Sequence, residues 1–175
     1  AKEGVELNIK VFTDYVQPNV QVAEQRLDAN FFQHQPYLDE FNKSRGTELV
    51  SVAGVHVEPF GAYSSQHKTL ADLPQGANVV IPNDATNGGR ALLLLQKAGL
   101  ITLKPEAGIL ATPKDIVENP KKLKFLPNVE AALLPQMYNN DEGDAVVINA
   151  NYAIDAGLDP VKDPIAVESG ENNPY

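Results

Sequence analysis

Apolar residues change their spacing along this chain, and that change constrains the fold more than any other feature. Val5, Leu7, Ile9 and Val11 recur at every second position, the period of a strand with one buried face. After Pro18, which suits a first helical turn, Val20, Ala23 and Leu27 continue from Val16 at helical spacing. The alternation then repeats. Residues 30–32 read as a short strand and 36–41 as a short helix. Residues 49–57 read as a longer strand, with Gly54 as a bulge or turn within it. Val79, Val80 and Ile81 form a continuous apolar run, as in a parallel sheet covered on both faces. Turn-rich residues 83–89 lead into a helix over 90–98, which Gly99 closes. Further strands are expected at 101–103, 123–126, 145–148 and 164–167, and helices around 113–118, 129–134 and 151–156. Strands alternating with helices at this spacing imply βαβ units around largely parallel sheets, the α/β class.

A chain of 175 residues suits either one domain or two compact lobes. The stretch from Pro59 and Gly61 through 64–68 reads as a linker, and composition changes after it. The expected division is a first lobe of residues 1–66 and 165–175 and a second lobe of 67–164.

Composition narrows the function. A formal charge of -9, with basic residues scattered rather than striped, repels phosphate backbones, so nucleic acid is not an expected partner. With Cys 0 and His 3 there is no disulfide framework, no thiolate chemistry and little to build a metal site from. No apolar run approaches the ~18 residues of a spanning helix, and the opening residues lack a signal pattern, so the chain is either cytosolic or without its export segment. No Gly-x-Ser-x-Gly or His-Glu-x-x-His motif is present, and nothing in the sequence prepares a nucleophile.

Three segments carry candidate binding residues. In 82–90, between a buried strand and a helix, Gly88 and Gly89 allow close backbone approach, and unpaired amides at a helix start attract an anion. Arg90 in a first helical turn opposes the macrodipole by ~0.3–1 kcal/mol, which a bound carboxylate or phosphate would explain. The alternative is a surface arginine paired with Asp84 or Asp14. In 30–37, Phe32 and His34 project to one side of an extended run and Phe31 to the other, and Tyr15 can join them. With Tyr37 they form either the wall of a site for an apolar, polarizable ligand or ordinary core, the reading expected for Phe31 and Phe41. Asn149 ends an apolar strand and either donates to a carboxylate or accepts from an ammonium, while Asn151 reads as a helix N-cap. His56 and Glu58 share a strand face without a third metal ligand and read as structural. His67 reads as solvated.

The strings VFTDYVQPNVQ, LDANFFQHQPYLDEFN, GVHVEPFGAYS, IPNDATNGGRALLLLQKAGLI, DIVENPKKLKF and AVVINANYAIDAGL together resemble the NlpA/MetQ family of methionine-binding lipoproteins, nearly end to end. The resemblance implies a two-lobed, type II periplasmic-binding-protein-like fold with three-layer αβα lobes. It also implies an extracytoplasmic binding protein, membrane-anchored through an N-terminal lipid, that delivers methionine to the permease and ATPase subunits of an ABC importer. L-Methionine is the implied ligand, with D-methionine or a methionine dipeptide as variants; no cofactor, metal or catalysis is implied. Arg90 matches the family arginine that pairs with the ligand carboxylate and Asn149 the asparagine that fixes the amino-acid backbone, while Tyr15, Phe32, His34 and Tyr37 match the side-chain wall. Family members also carry an opening strand and helix and a further closing strand and helix, so the expectation is a chain incomplete at both ends with exposed apolar edges in its first lobe; Asn172 and Asn173 stand in weakly for another ligand-contacting asparagine. The competing expectation from the residues alone is an enzyme acting on a small carboxylated or phosphorylated metabolite, with His34 as acid or base.

Overall fold

The computed structural model describes residues 3–171 together with Asn173 and Tyr175. Its organising element is a five-stranded sheet of order β5-β2-β6-β1-β7. The strands are β1 (Gly61–Tyr63), β2 (Asn78–Pro82), β5 (Lys124–Val129), β6 (Ala145–Ile148) and β7 (Ala166–Val167). β2 runs parallel to β5 and β6, whereas β1 is antiparallel to both β6 and β7. The sheet is therefore mixed rather than largely parallel, because two short strands enter it from the far side.

Continuous apolar strands require cover on both faces, and the sheet has it. Val79, Ile81 and Val147 face α3 (Ala85–Lys97), with Leu92 and Leu95 among their partners. Val80, Val146 and Ile148 face α4 (Leu134–Asn139) and α5 (Ala150–Asp155) through Leu134, Tyr152 and Ala153. This gives a helix, sheet and helix sandwich with no polar strand face, as the run at 79–81 predicts. A two-stranded sheet of β3 (Thr102–Leu103) and β4 (Ile116–Glu118) lies beside it. Residues 113–118, expected to be helical, form a 3-10 turn capped by Thr112 and then β4; the capping box ends after one turn because Ile116 and Val117 return to extended geometry.

The remaining helices are α1 (Gln17–Ala23) and α2 (Gln35–Arg45). The segments expected as strands at 5–11, 30–32 and 49–57 are not strands. A period of two records which side chains alternate, but a strand exists only where a neighbouring backbone lies ~4.8 Å away. These segments instead border open clefts, one between 30–34 and 50–58 and another between 7–13 and 29–32. Ile9 is 78% exposed and Val52 90%.

Two chain crossings join this part to the sheet. β1 and β7 fall within the residues expected for the first lobe, yet both pair into the larger sheet. The crossings therefore lie close to residues 58–60 and 168, where Glu168 N donates to Phe60 O at 2.9 Å.

α3 starts at Ala85, earlier than expected, so Gly88 and Gly89 lie inside the helix. A Cβ on Gly89 would stand 1.8 Å from the Ile109 carbonyl oxygen, and one on Gly88 would stand 3.0 Å from that of Pro82. The glycines thus bring the helix against neighbouring backbone rather than against a ligand. Gly89→Ala is expected to destabilise by about 1–3 kcal/mol through overpacking, a fall of roughly 2–4 °C in melting temperature per kcal/mol. Gly88→Ala, where improved helix propensity offsets a milder contact, is expected to melt closer to wild type. Thermal unfolding of the two variants side by side checks this.

Candidate ligand-binding site

An amide cluster around the buried Asn19 holds the site's ring wall. Asn19 is wholly buried at the start of α1 and exchanges 2.7 Å hydrogen bonds with Gln33 in both directions. Asn30 donates to Asn19 Oδ1 at 2.9 Å. This amide cluster pins the extended run before α2, so that Phe32 and His34 face the cleft. His34 is the N-cap of α2, with Nδ1 accepting from Tyr37 N at 3.1 Å. The hydroxyl of Tyr37 donates to Tyr15 O at 2.9 Å. The rings meet as the sequence predicts: Tyr15 lies 5.8 Å from Phe32 and 6.1 Å from Tyr37, and Phe32 lies 5.9 Å from Tyr37. Phe31 instead is 69% exposed and stacks on His56, which pairs with Glu58 at 2.8 Å. Phe31 is thus no core residue, whereas Phe41 is.

Opposite this wall the sheet contributes its strand ends. Asn149 follows β6, and Arg90 projects from the second turn of α3. Both line the same cleft of about 580 Å³ as Tyr15, Phe32, His34 and Tyr37. The six residues singled out in the sequence therefore share one cavity, of a size usual for small-molecule sites.

The start of α3 differs from its expected form. Asp84 is the N-cap and its carboxylate accepts from Asn87 N at 2.9 Å, so this helix end is closed by its own side chain rather than by an anion. The first-turn argument for Arg90 lapses with it. Neither Asp84 nor Asp14 pairs with Arg90. Its guanidinium is 3% exposed and makes a bidentate pair with Glu168, with Nε to Oε1 at 2.9 Å and Nη2 to Oε2 at 2.6 Å, while Nη2 also donates to Glu58 O at 2.9 Å. The rings of Phe60 and Tyr175 lie 5.0 and 4.7 Å from its central carbon.

Asn87 joins the two sides. Its Nδ2 donates to Asp84 at 2.9 Å, and its Oδ1 accepts from Asn149 Nδ2 at 3.1 Å and lies 3.1 Å from His34 Nε2. Because Nδ1 of His34 is an acceptor, the ring proton sits on Nε2 and points at Asn87. Both imidazole nitrogens are committed. Asn149 Oδ1 is buried and, among the described residues, has no hydrogen-bond partner. Tyr15 donates its hydroxyl to Asn151, which lies within α5 rather than capping it, and Tyr152 donates to Thr13 O at 3.0 Å.

Burial sets the protonation states. It drives the phenols of Tyr15 and Tyr37 above the ordinary tyrosine value and Tyr152 up to about 12, so all three stay protonated donors. Burial lowers the His34 pKa, and the Arg90 charge adds to this against the opposing Asn87 contact. His67, expected to be solvated, is half-buried with Nε2 3.4 Å from Asp144. Asn173 donates to Glu168 Oε2 at 3.1 Å, and Asn172 lies outside the described residues. Among the described residues no cluster of His, Cys, Asp and Glu could hold a metal ion.

Sequence reasoning missed Asn87, Glu168 and Tyr175 as parts of the site. Asn87 lay within a segment singled out for its glycines and arginine. Glu168 and Tyr175 reach Arg90 only through the second crossing and carry no local signal.

Because His34 is neutral in the fold with a depressed pKa, the unfolded chain takes up the proton first as pH falls. Stability is then fully present above about pH 6.5, the unfolded value, and declines as pH drops toward the folded value. His34→Asn, which retains an N-cap acceptor, is expected to show a shallower fall in melting temperature than wild type between about pH 7 and 5.

The NlpA lipoprotein family model matches residues 1–175. The chain is 47% identical to the methionine-binding lipoprotein MetQ of Bacillus subtilis over 99% of its own length and 64% of that protein's. It therefore spans less than two thirds of this curated relative. A solved nutrient binding protein from Burkholderia cenocepacia bound to methionine superposes with a TM-score of 0.94 at 51% identity, covering 99% of this chain and 72% of the other. A periplasmic substrate-binding protein of an ABC transporter from Coxiella burnetii gives 0.93 at 44%, with the same coverage. With a full-length family match and this agreement in fold, the chain belongs to the NlpA lipoprotein family.

Proposed function

We propose that this chain is the ligand-holding part of an extracytoplasmic, membrane-anchored binding protein that captures methionine between two lobes and passes it to the permease and ATPase subunits of an ABC importer. The lobes are residues 1–60 with the chain after 168, and the intervening sheet domain. The observation that carries the reading is the orphaned Asn149 Oδ1 sharing a cleft with Arg90. An unpaired buried acceptor is costly unless a donor arrives. An α-ammonium supplies that donor and an α-carboxylate suits the guanidinium, which is the polar pattern of an amino acid. On this reading Asn149 acts as the acceptor, a role supported by its amide nitrogen donating to Asn87. The rings of Tyr15, Phe32 and Tyr37 suit a flexible thioether, which gains from sulfur contacts at ring edges. The methionine-bound Burkholderia relative supports the same ligand class.

The chemistry supports capture rather than conversion. His34, the acid or base of the competing enzyme reading, has both nitrogens engaged in fixed hydrogen bonds, and the helix end expected to hold a phosphate is capped by Asp84. Methionine has about nine non-hydrogen atoms, so the ligand-efficiency ceiling admits nanomolar affinity.

Calorimetric titration with L- and D-methionine tests the reading, with one saturable site expected and no heat from either compound refuting it. Arg90→Gln is expected to weaken methionine by about 2 kcal/mol or more, roughly 30-fold, through loss of the carboxylate's partner. Asn149→Leu is expected to cost about 1–3 kcal/mol for methionine and almost nothing for 4-(methylthio)butanoate, which lacks the ammonium. Equal losses for the two compounds would remove Asn149 from its proposed role.

A further inference from the structure

The carboxylate of Glu168 is the buried charge in the site that the binding reading leaves without a task. Its side chain is 11% exposed, against 3% for Arg90. It accepts from Arg90 through both oxygens and also from Phe60 N at 3.1 Å and Asn173 Nδ2 at 3.1 Å. A guanidinium has five N–H donors. Nε and one proton of Nη2 go to Glu168, and Nη2 also serves Glu58 O. Among the described residues Nη1 has no hydrogen-bond partner, and Arg90 lines the cleft.

We infer that Glu168 is a specificity residue: by pairing with Arg90 it cancels the cation's charge and fixes its fork, so that the site takes a net-neutral zwitterion and rejects ligands bearing an uncompensated negative charge. The inference rests on the methionine reading above. Arg90 and Glu168 together contribute no net charge, and Asn149 offers an acceptor rather than a cation. A ligand that brings a carboxylate without an ammonium therefore meets a donor edge backed by a carboxylate a few ångströms behind it. The pair itself is nearly buried, so the field of that carboxylate is weakly screened. An arginine without Glu168 would attract anions indiscriminately.

The test is the ratio of dissociation constants for 4-(methylthio)butanoate and L-methionine, measured by calorimetry on the protein and two variants. Glu168→Gln removes the charge at nearly constant volume and is expected to lower the ratio at least tenfold, moving preference toward the anion. Asn173→Asp adds a negative charge beside Glu168 at a partly exposed position, and is expected to raise the ratio at least threefold. The two variants move the ratio in opposite directions only if charge is the cause. A purely structural role for Glu168 would weaken both compounds alike, and an unchanged ratio in either folded variant overturns the inference. Should Glu168→Gln not fold, Glu168→Asp, which keeps the charge, decides: its ratio is expected to stay within about threefold of wild type, and a tenfold fall there overturns the inference. A wild-type protein that binds neither compound refutes the methionine reading instead, and a wild type that binds methionine with no preference over the anion refutes the inference while leaving that reading intact.

Discussion

A guanidinium removed from water has to be compensated, and the way Arg90 is compensated shapes the middle of this molecule. The effective desolvation cost of a buried ion is several kcal/mol, and it is offset only by good geometry and by satisfying the remaining donors. Arg90 achieves this with a carboxylate from beyond β7, a carbonyl from the segment before β1 and two flanking rings. Those partners come from the two places where the chain leaves the sheet. The ion pair therefore ties both crossings to α3. That placement also sets the guanidinium in the lining of the cleft, with α3 held against the 3-10 turn at Gly108–Leu110 by a glycine whose close contact leaves no room for a side chain.

The second junction is neutral and works by orientation. Asn87 has one carbonyl oxygen facing two donors from opposite sides of the cleft, and its own amide is held by Asp84. Fixing that one amide fixes the tautomer of His34 and the direction of Asn149 together, leaving Asn149 Oδ1 as the unsatisfied acceptor. A satisfied polar network of this kind is rigid, and one open valence within it is specific for a donor. Within this network both nitrogens of His34 are held by fixed partners.

Much of the sheet domain was legible in the sequence, and for a physical reason. The runs at 79–81 and 145–148 are apolar at every position, which only a sheet covered on both faces can bury. The ring wall was legible too, since Pro36 and the period-two placement of Phe32 and His34 are local properties. What the sequence misplaced depended on distant backbone. Residues 5–11 and 49–57 have strand periodicity but no ladder partner among the described residues, so the pattern produced no sheet there. The start of α3 was set too late because Gly88 and Gly89 read as loop residues, whereas their small size answers the Ile109 and Pro82 carbonyls. Arg90 was read from its place near a helix start, yet its surroundings are decided by Glu168, 78 positions away.

Away from the crossings, where Arg90 bonds Glu58 O and Glu168, the polar contacts across the cleft among the described residues are neutral ones: Tyr15 to Asn151, Tyr152 to Thr13 and His34 to Asn87. Each such bond contributes only ~0.5–1.5 kcal/mol net in water, because opening exchanges it for hydration. The two sides are therefore held by a small difference between large terms, and a ligand that touches both adds directly to the closed form. The amino acid proposed above would make such double contact, with its side chain against the rings and its charged end at Arg90. On that proposal, the differential affinity for a closed arrangement resides in the groups that closure brings together.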